Sequence, residues 1–207
     1  MTVVIVCGLT GGIACPRHAF GGTLEVDVTD HREAIQDFRK VEVVIETVRL
    51  RPNPGLKFWQ FGWQDLKPTV DTIDLTHYTG ERAALIFRGA VTPGSFEGLH
   101  VKLARAEGLL HPNANTVPIR SLVGPIRVAF TVEPTGVTLI VLDLTVVDMH
   151  DHPPGGYELH VKGYERYANG TFVDQQSMEK LGSMPPEGSG HHAADAELHM
   201  HRPSTLR

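Results

Sequence analysis

Short runs in which apolar and polar residues alternate recur from Gly22 to Tyr167, with no helical pattern between them. A period of two sends alternate side chains to opposite faces, so each run reads as a half-buried β-strand. Leu24, Val26 and Val28 alternate with Glu25 and Asp27. Val41–Leu50 is rich in β-branched residues, and its alternation changes phase at Val43-Val44, which predicts a bulge. Further runs lie at Val70–Leu75, Ala83–Phe87, Leu99–Leu103, Val117–Ile119, Ile126–Val132 and Tyr157–Val161. Thr138–Val147 is almost continuously apolar, the pattern of a central strand covered on both faces. Turn residues separate the runs, notably Pro93-Gly94 and Pro153-Pro154-Gly155-Gly156. Asp30-His31-Arg32-Glu33 has the spacing of a helix capping box and predicts one short helix or turn. Eight to ten strands without helical crossovers predict an all-β fold, an antiparallel β-sandwich of immunoglobulin or transthyretin type.

The chain divides into three parts on this reading. Residues 1–20 are an apolar N-terminal segment, 21–167 the sandwich domain, and 168–207 a flexible tail rich in His, Met, Gly and Pro. A length of 207 residues suits one well-buried domain with a tail. The net charge of −5 and the scattering of the 19 basic residues argue against nucleic acid as a partner. The two cysteines, Cys7 and Cys15, both precede the domain. That excludes a disulfide framework and a Cys-rich zinc site for the folded body.

The N-terminal segment carries two readings. Residues 3–14 are too short to cross a membrane as a helix. They match the apolar core of an export signal that lacks its basic leader. Gly12-Ile13-Ala14-Cys15 is close to a lipobox, with Cys15 as the lipidation site and the membrane reached only through that anchor. The alternative is an edge strand at Val3–Val6. If retained in the mature chain, that strand could insert into a neighbour's sheet and build a filament. Cys7-Gly8-Leu9-Thr10-Gly11-Gly12-Ile13 opens like a phosphate loop. Ala14, Cys15 and Pro16 stand where its Lys and hydroxyl residue belong, so nucleotide binding is rejected.

Two clusters have metal-ligating composition. In an extended backbone Asp148, His150 and His152 project to one side, presenting a carboxylate and two imidazoles. His160 follows the Pro-Pro-Gly-Gly turn as a further ligand, although simple hairpin pairing would place it on the opposite face. Met184, His191, His192, His199, Met200 and His201 form the second cluster, in the tail. Imidazole with thioether favours copper, and imidazole with carboxylate suits zinc or copper. The plain readings are a solvated loop and a hydrophilic tail. Trp59, Phe61 and Trp63 share one strand face, as core or as a stacking platform. Asn169-Gly170-Thr171 is a glycosylation sequon. No Gly-x-Ser-x-Gly motif is present.

The body resembles a known family. Gly22-Thr23-Leu24-Glu25-Val26-Asp27-Val28-Thr29-Asp30 and Val41–Leu50 look like the opening strands of the domain-of-unknown-function 4382 family. Val70-Asp71-Thr72-Ile73-Asp74-Leu75, Thr92–Leu103, Val141-Leu142-Asp143-Leu144 and Gly156-Tyr157-Glu158-Leu159 resemble its later strands. His31 and Arg32 stand where a small residue and Pro are usual, and Phe96 where Tyr is usual. The resemblance covers residues 21–165. It implies an extracytoplasmic β-sandwich, often on surface lipoproteins, and offers no catalytic residues to carry over. The expectation is therefore a non-catalytic binding or assembly module at the cell surface, meeting protein partners or its own copies through strand edges and loops. The alternative is a periplasmic or surface metal-binding protein holding copper or zinc.

Overall fold

The computed structural model describes residues 21–178, apart from 32, 54 and 56–61. Predictions that fall on residues 1–20 and 179–207, including Cys15 and the His/Met cluster, lie outside the described residues. So do Trp59 and Phe61.

Eleven strands account for most of the described chain: β1 (Gly22–Asp30), β2 (Phe38–Pro52), β3 (Gln64–Leu66), β4 (Thr72–Asp74), β5 (Ala84–Val91), β6 (Gly94–Leu110), β7 (Thr116–Ser121), β8 (Ile126–Val132), β9 (Val137–Asp148), β10 (Tyr157–Ala168) and β11 (Thr171–Ser177). The fold is all-β, and two short 3-10 turns, Ala34–Asp37 and Leu75–His77, are the helical elements among the described residues. The strands form one sheet in the order β3-β2-β6-β7-β10-β9-β1-β5, with β4 on β2, β8 on β6 and β11 on β10.

This sheet is mixed rather than purely antiparallel. β1 runs parallel to β9 from Thr23/Val137 to Asp30/Leu144, and β7 runs parallel to β10. A parallel neighbour needs a long crossover, which the chain between Asp30 and Val137 supplies without an α-helix among the described residues. The long hairpin of β2 and β6 is bulged at Val44/Ile45 and Ile45/Thr47, next to the phase change in the sequence. Those bulges bend the pair. The sheet thereby curls until its two ends approach. Thr69 and Val70 donate backbone hydrogen bonds to the Ile86 carbonyl of β5 (2.9 and 3.3 Å), and Ile45 of β2 donates to Asp71 (2.7 Å).

Inside the curl lies a single apolar core. On β1 every second residue is buried, and Leu24, Val26 and Val28 are at most 1% exposed. Ile140, Leu142 and Leu144 of β9 meet Leu50, Leu99, Val128 and Phe130 of the other elements in the same cluster. Each such side chain contributes roughly 1.5–3 kcal/mol by leaving water. β9 is central, as its apolar run predicts, but its outer residues Leu139, Val141 and Asp143 are only half-buried.

Two expectations need correction. The capping box does not form: Asp30 is the buried last residue of β1, and Glu33 makes no side-chain cap at the Ala34–Asp37 turn. The folded body also extends past residue 167. β11 lies in the stretch assigned to the tail, where backbone pairing with β10 holds a segment that has no apolar alternation. Gly163 permits this, because a Cβ there would stand 2.5 Å from the Gln176 carbonyl oxygen.

Candidate functional site

The predicted metal loop separates into two unconnected contacts. Asp148 ends β9, and its Oδ1 accepts a hydrogen bond from the His150 backbone N–H at 2.8 Å and contacts the His150 imidazole Nδ1. These two bonds hold the Asp148 carboxyl below its usual range. The His150 ring stands edge-on to Tyr157, with centroids 5.0 Å apart. His152 is exposed, and its backbone serves the turn by donating to Met149 and accepting from Gly155. His160 is not brought to Asp148 and His150. Its Nε2 lies 2.8 Å from Glu158 Oε2, and Glu158 also pairs with Arg120. Glu158 is 4% exposed, so a buried carboxylate claims the imidazole. Among the described residues no group of three or more His, Cys, Asp or Glu is placed to hold a metal ion. Trp63, the one described member of the aromatic triplet, is half-buried beneath the Arg49 guanidinium, 5.5 Å from its ring centroid.

A different site emerges on the outer face of β1, β9 and β10. A cleft of about 1060 Å³ opens there. Strand register builds its floor row by row. Asp27 lies beside Val141, and Val141 beside Glu165. In the next row Thr29, Asp143 and Gly163 stand side by side. A bulge between Val161 and Gly163 throws Lys162 out of the ladder and into the lining. β11 forms one wall through Gln175, Gln176 and Ser177, and Gly80–Ala83 forms the other. Thr29 helps to fix that second wall. Its hydroxyl lies 3.1 Å from the Tyr78 carbonyl and 2.9 Å from that of Arg82, and the Asp30 N–H donates to Tyr78.

Most charged groups around the cleft are spoken for. Glu25 pairs with Arg88 at 3.2 Å, Asp143 with His31 Nδ1 at 3.1 Å, and Glu33 with Lys162 at 2.7 Å. The Tyr167 hydroxyl donates to Glu165 at 2.6 Å. Asp27 differs. Its Oδ1 is shielded from solvent and has no hydrogen-bond partner among the described residues. Burial, followed by repulsion from Glu25, pushes its pKa up to about 6. Burial raises the Asp143 carboxyl too, against the opposing pull of His31. Asp27, Asp30, Glu81, Asp143 and Glu165 outnumber Arg82 and Lys162, so the lining is acidic at neutral pH. Such a surface offers hydrogen-bond acceptors and negative potential, with Leu139 and Val141 as a small apolar floor.

Sequence reasoning missed this site. Its residues come from β1, from Gly80–Ala83 and from the β9–β11 stretch, with β1 more than a hundred positions from β9, and the one motif that touches it, Asp30-His31-Arg32-Glu33, reads as a helix cap. The one available signal was a polar residue facing out of a near-continuous apolar strand, namely Asp143 within Thr138–Val147.

A family model described as Domain of unknown function (DUF4382) matches residues 21–160. No curated protein and no solved structure matches the chain.

Proposed function

We infer that the protein, which belongs to the family described as Domain of unknown function (DUF4382), is a non-catalytic recognition module working outside the cytoplasm. It acts at a cell surface or within a surface complex, and it takes its partner in the cleft floored by β1, β9 and β10. The extracytoplasmic setting follows from what the family resemblance implies and from the lipobox-like tract ending at Cys15. A lipid on that cysteine would be the membrane tether.

One observation carries the binding reading: Asp27 places a solvent-shielded, unpartnered carboxylate oxygen on the floor of a large open cleft. A polar group kept out of water without a partner is costly and is usually satisfied by something. Oδ1 is closed to solvent as it stands, so a ligand donor would reach it only with a local shift of the cleft lining, and that contact would recover the cost on binding. The acidic lining favours a partner with amine, guanidinium or hydroxyl donors, such as an extended basic peptide segment.

The test is capture of arrayed decapeptides and oligosaccharides by the full chain and by Val141→Trp, whose indole fills the cleft between Asp27 and Glu165. Binding to a basic subset that disappears in Val141→Trp supports the reading. Equal capture by both proteins overturns it.

A further inference from the structure

Strand register arranges the cleft floor in two neighbouring rows that cross the strands. One row runs through Leu139, Tyr167 and Phe172 on β9, β10 and β11. The next runs through Asp27, Val141 and Glu165 on β1, β9 and β10. Residues two apart on a strand share a face and stand about 6.7 Å apart, so the rows lie side by side. The first row is apolar. Its Tyr167 and Phe172 rings meet edge to face at 5.6 Å, and Phe172 is 52% exposed. The second row sets a small apolar side chain between two carboxylates.

Those two carboxylates keep acceptor capacity that their neighbours have spent. Glu25, Asp143 and Glu33 already hold Arg88, His31 and Lys162. Glu165 instead accepts from the neutral Tyr167 hydroxyl through Oε2, at 2.6 Å, which orients the carboxylate. Its Oε1 has no hydrogen-bond partner among the described residues, and neither has Asp27 Oδ1.

The spacing discriminates between cations. Asp27 and Glu165 are two inter-strand steps apart, roughly 9.5 Å at the backbone. A guanidinium that forks onto one carboxylate with each of two edges holds their carbons about 8 Å apart, whereas an ammonium between them spans about 6.5 Å. The planar guanidinium is also the more weakly hydrated of the two, so it can lie flat on the Val141 side chain. Its aliphatic stem is then free to run along Leu139 and Tyr167 in the next row.

We propose that Asp27, Val141 and Glu165 form an arginine-selective subsite, in which a partner's guanidinium bridges the two carboxylates over Val141 and its stem packs on Leu139 and Tyr167. Glu165 Oε1 is the first contact, and Asp27 joins through the local shift of the lining that exposes its Oδ1. This subsite rests on the recognition role proposed above and narrows the partner from a basic chain to one that presents arginine.

The experiment is calorimetric titration of the full chain with two acetylated, amidated heptapeptides, one alternating glycine with arginine and the other glycine with lysine. The peptides carry the same charge, so long-range attraction to the acidic cleft cancels in the ratio of their affinities. The arginine peptide should bind at least about tenfold more tightly. Glu165→Gln, which keeps the shape and removes the charge, should bring the two affinities within about twofold of each other, and Asp27→Asn should do the same. Equal affinities in the wild type, no binding of either peptide, or a tenfold ratio that survives Glu165→Gln or Asp27→Asn overturns the subsite. Equal affinities that are both lost in Val141→Trp overturn the subsite alone and leave the recognition role standing. Binding that is unchanged in Val141→Trp overturns both.

Discussion

Replacing Asp27 with asparagine removes a buried negative charge while keeping the shape of the side chain, and it should stabilise the protein at neutral pH. The folded chain holds the Asp27 proton up to about pH 6, whereas the free group releases it near 3.8. Folding therefore takes up a proton between those values, and this group's contribution to stability falls as pH rises from 3.8 to about 6, then levels off. At about 1.36 kcal/mol per pH unit the full displacement corresponds to about 3 kcal/mol. Asp27 is only half-buried, so solvent screening brings this down to about 1–2 kcal/mol. The assay is urea or thermal unfolding of wild type and Asp27→Asn at pH 4 and pH 7.5. The two proteins should match at pH 4, and the variant should lead at pH 7.5. A difference of 1 kcal/mol moves the midpoint by about 2–4 °C for a chain of this size. A variant less stable than wild type at pH 7.5, or a gap that is the same at both pH values, would refute the reasoning.

The remaining predictions concern the frame around the cleft. Leu142→Ala, at a fully buried position on the central strand β9, should cost about 2–5 kcal/mol in urea unfolding. Gly22→Ala should cost about 1–3 kcal/mol, because its Cβ would stand 2.0 Å from the backbone oxygen of Glu133, and only a shift of β1 against the turn after β8 relieves that clash. Glu158 is held below the ordinary carboxylate value of 4.5, first by its hydrogen bond with Arg120 and then by His160. Its stabilising effect is therefore present above 4.5 and fades as pH falls through the lower folded value. Glu158→Gln should be the less stable protein at pH 7, with the gap closing toward pH 3, as read by midpoint temperatures.

Local pattern made most strands legible. Leu24, Val26 and Val28 announce a half-buried strand because one face meets the core and the other does not. The phase change at Val43-Val44 marked a real bulge, since inserting a residue flips the faces. β11 escaped because Thr171–Ser177 contributes backbone bonds to β10 rather than apolar side chains. The parallel pairing of β1 with β9 escaped because strand order is set by long-range packing, which neither run encodes alone. The cleft shares that origin: Asp27, Val141 and Glu165 become neighbours only through register. His160 shows the converse. Its composition fitted a metal site, yet Glu158, two residues earlier on the same strand, satisfies its ring.

The most direct test of the account is amide NMR of the full chain titrated with a basic decapeptide selected on the array. Shift changes should concentrate at Asp27, Thr29, Val141, Asp143, Gly163 and Glu165 and vanish in Val141→Trp. Changes that fall elsewhere, or that persist with the cleft filled, would contradict the claim that this outer sheet face is where the protein recognises its partner.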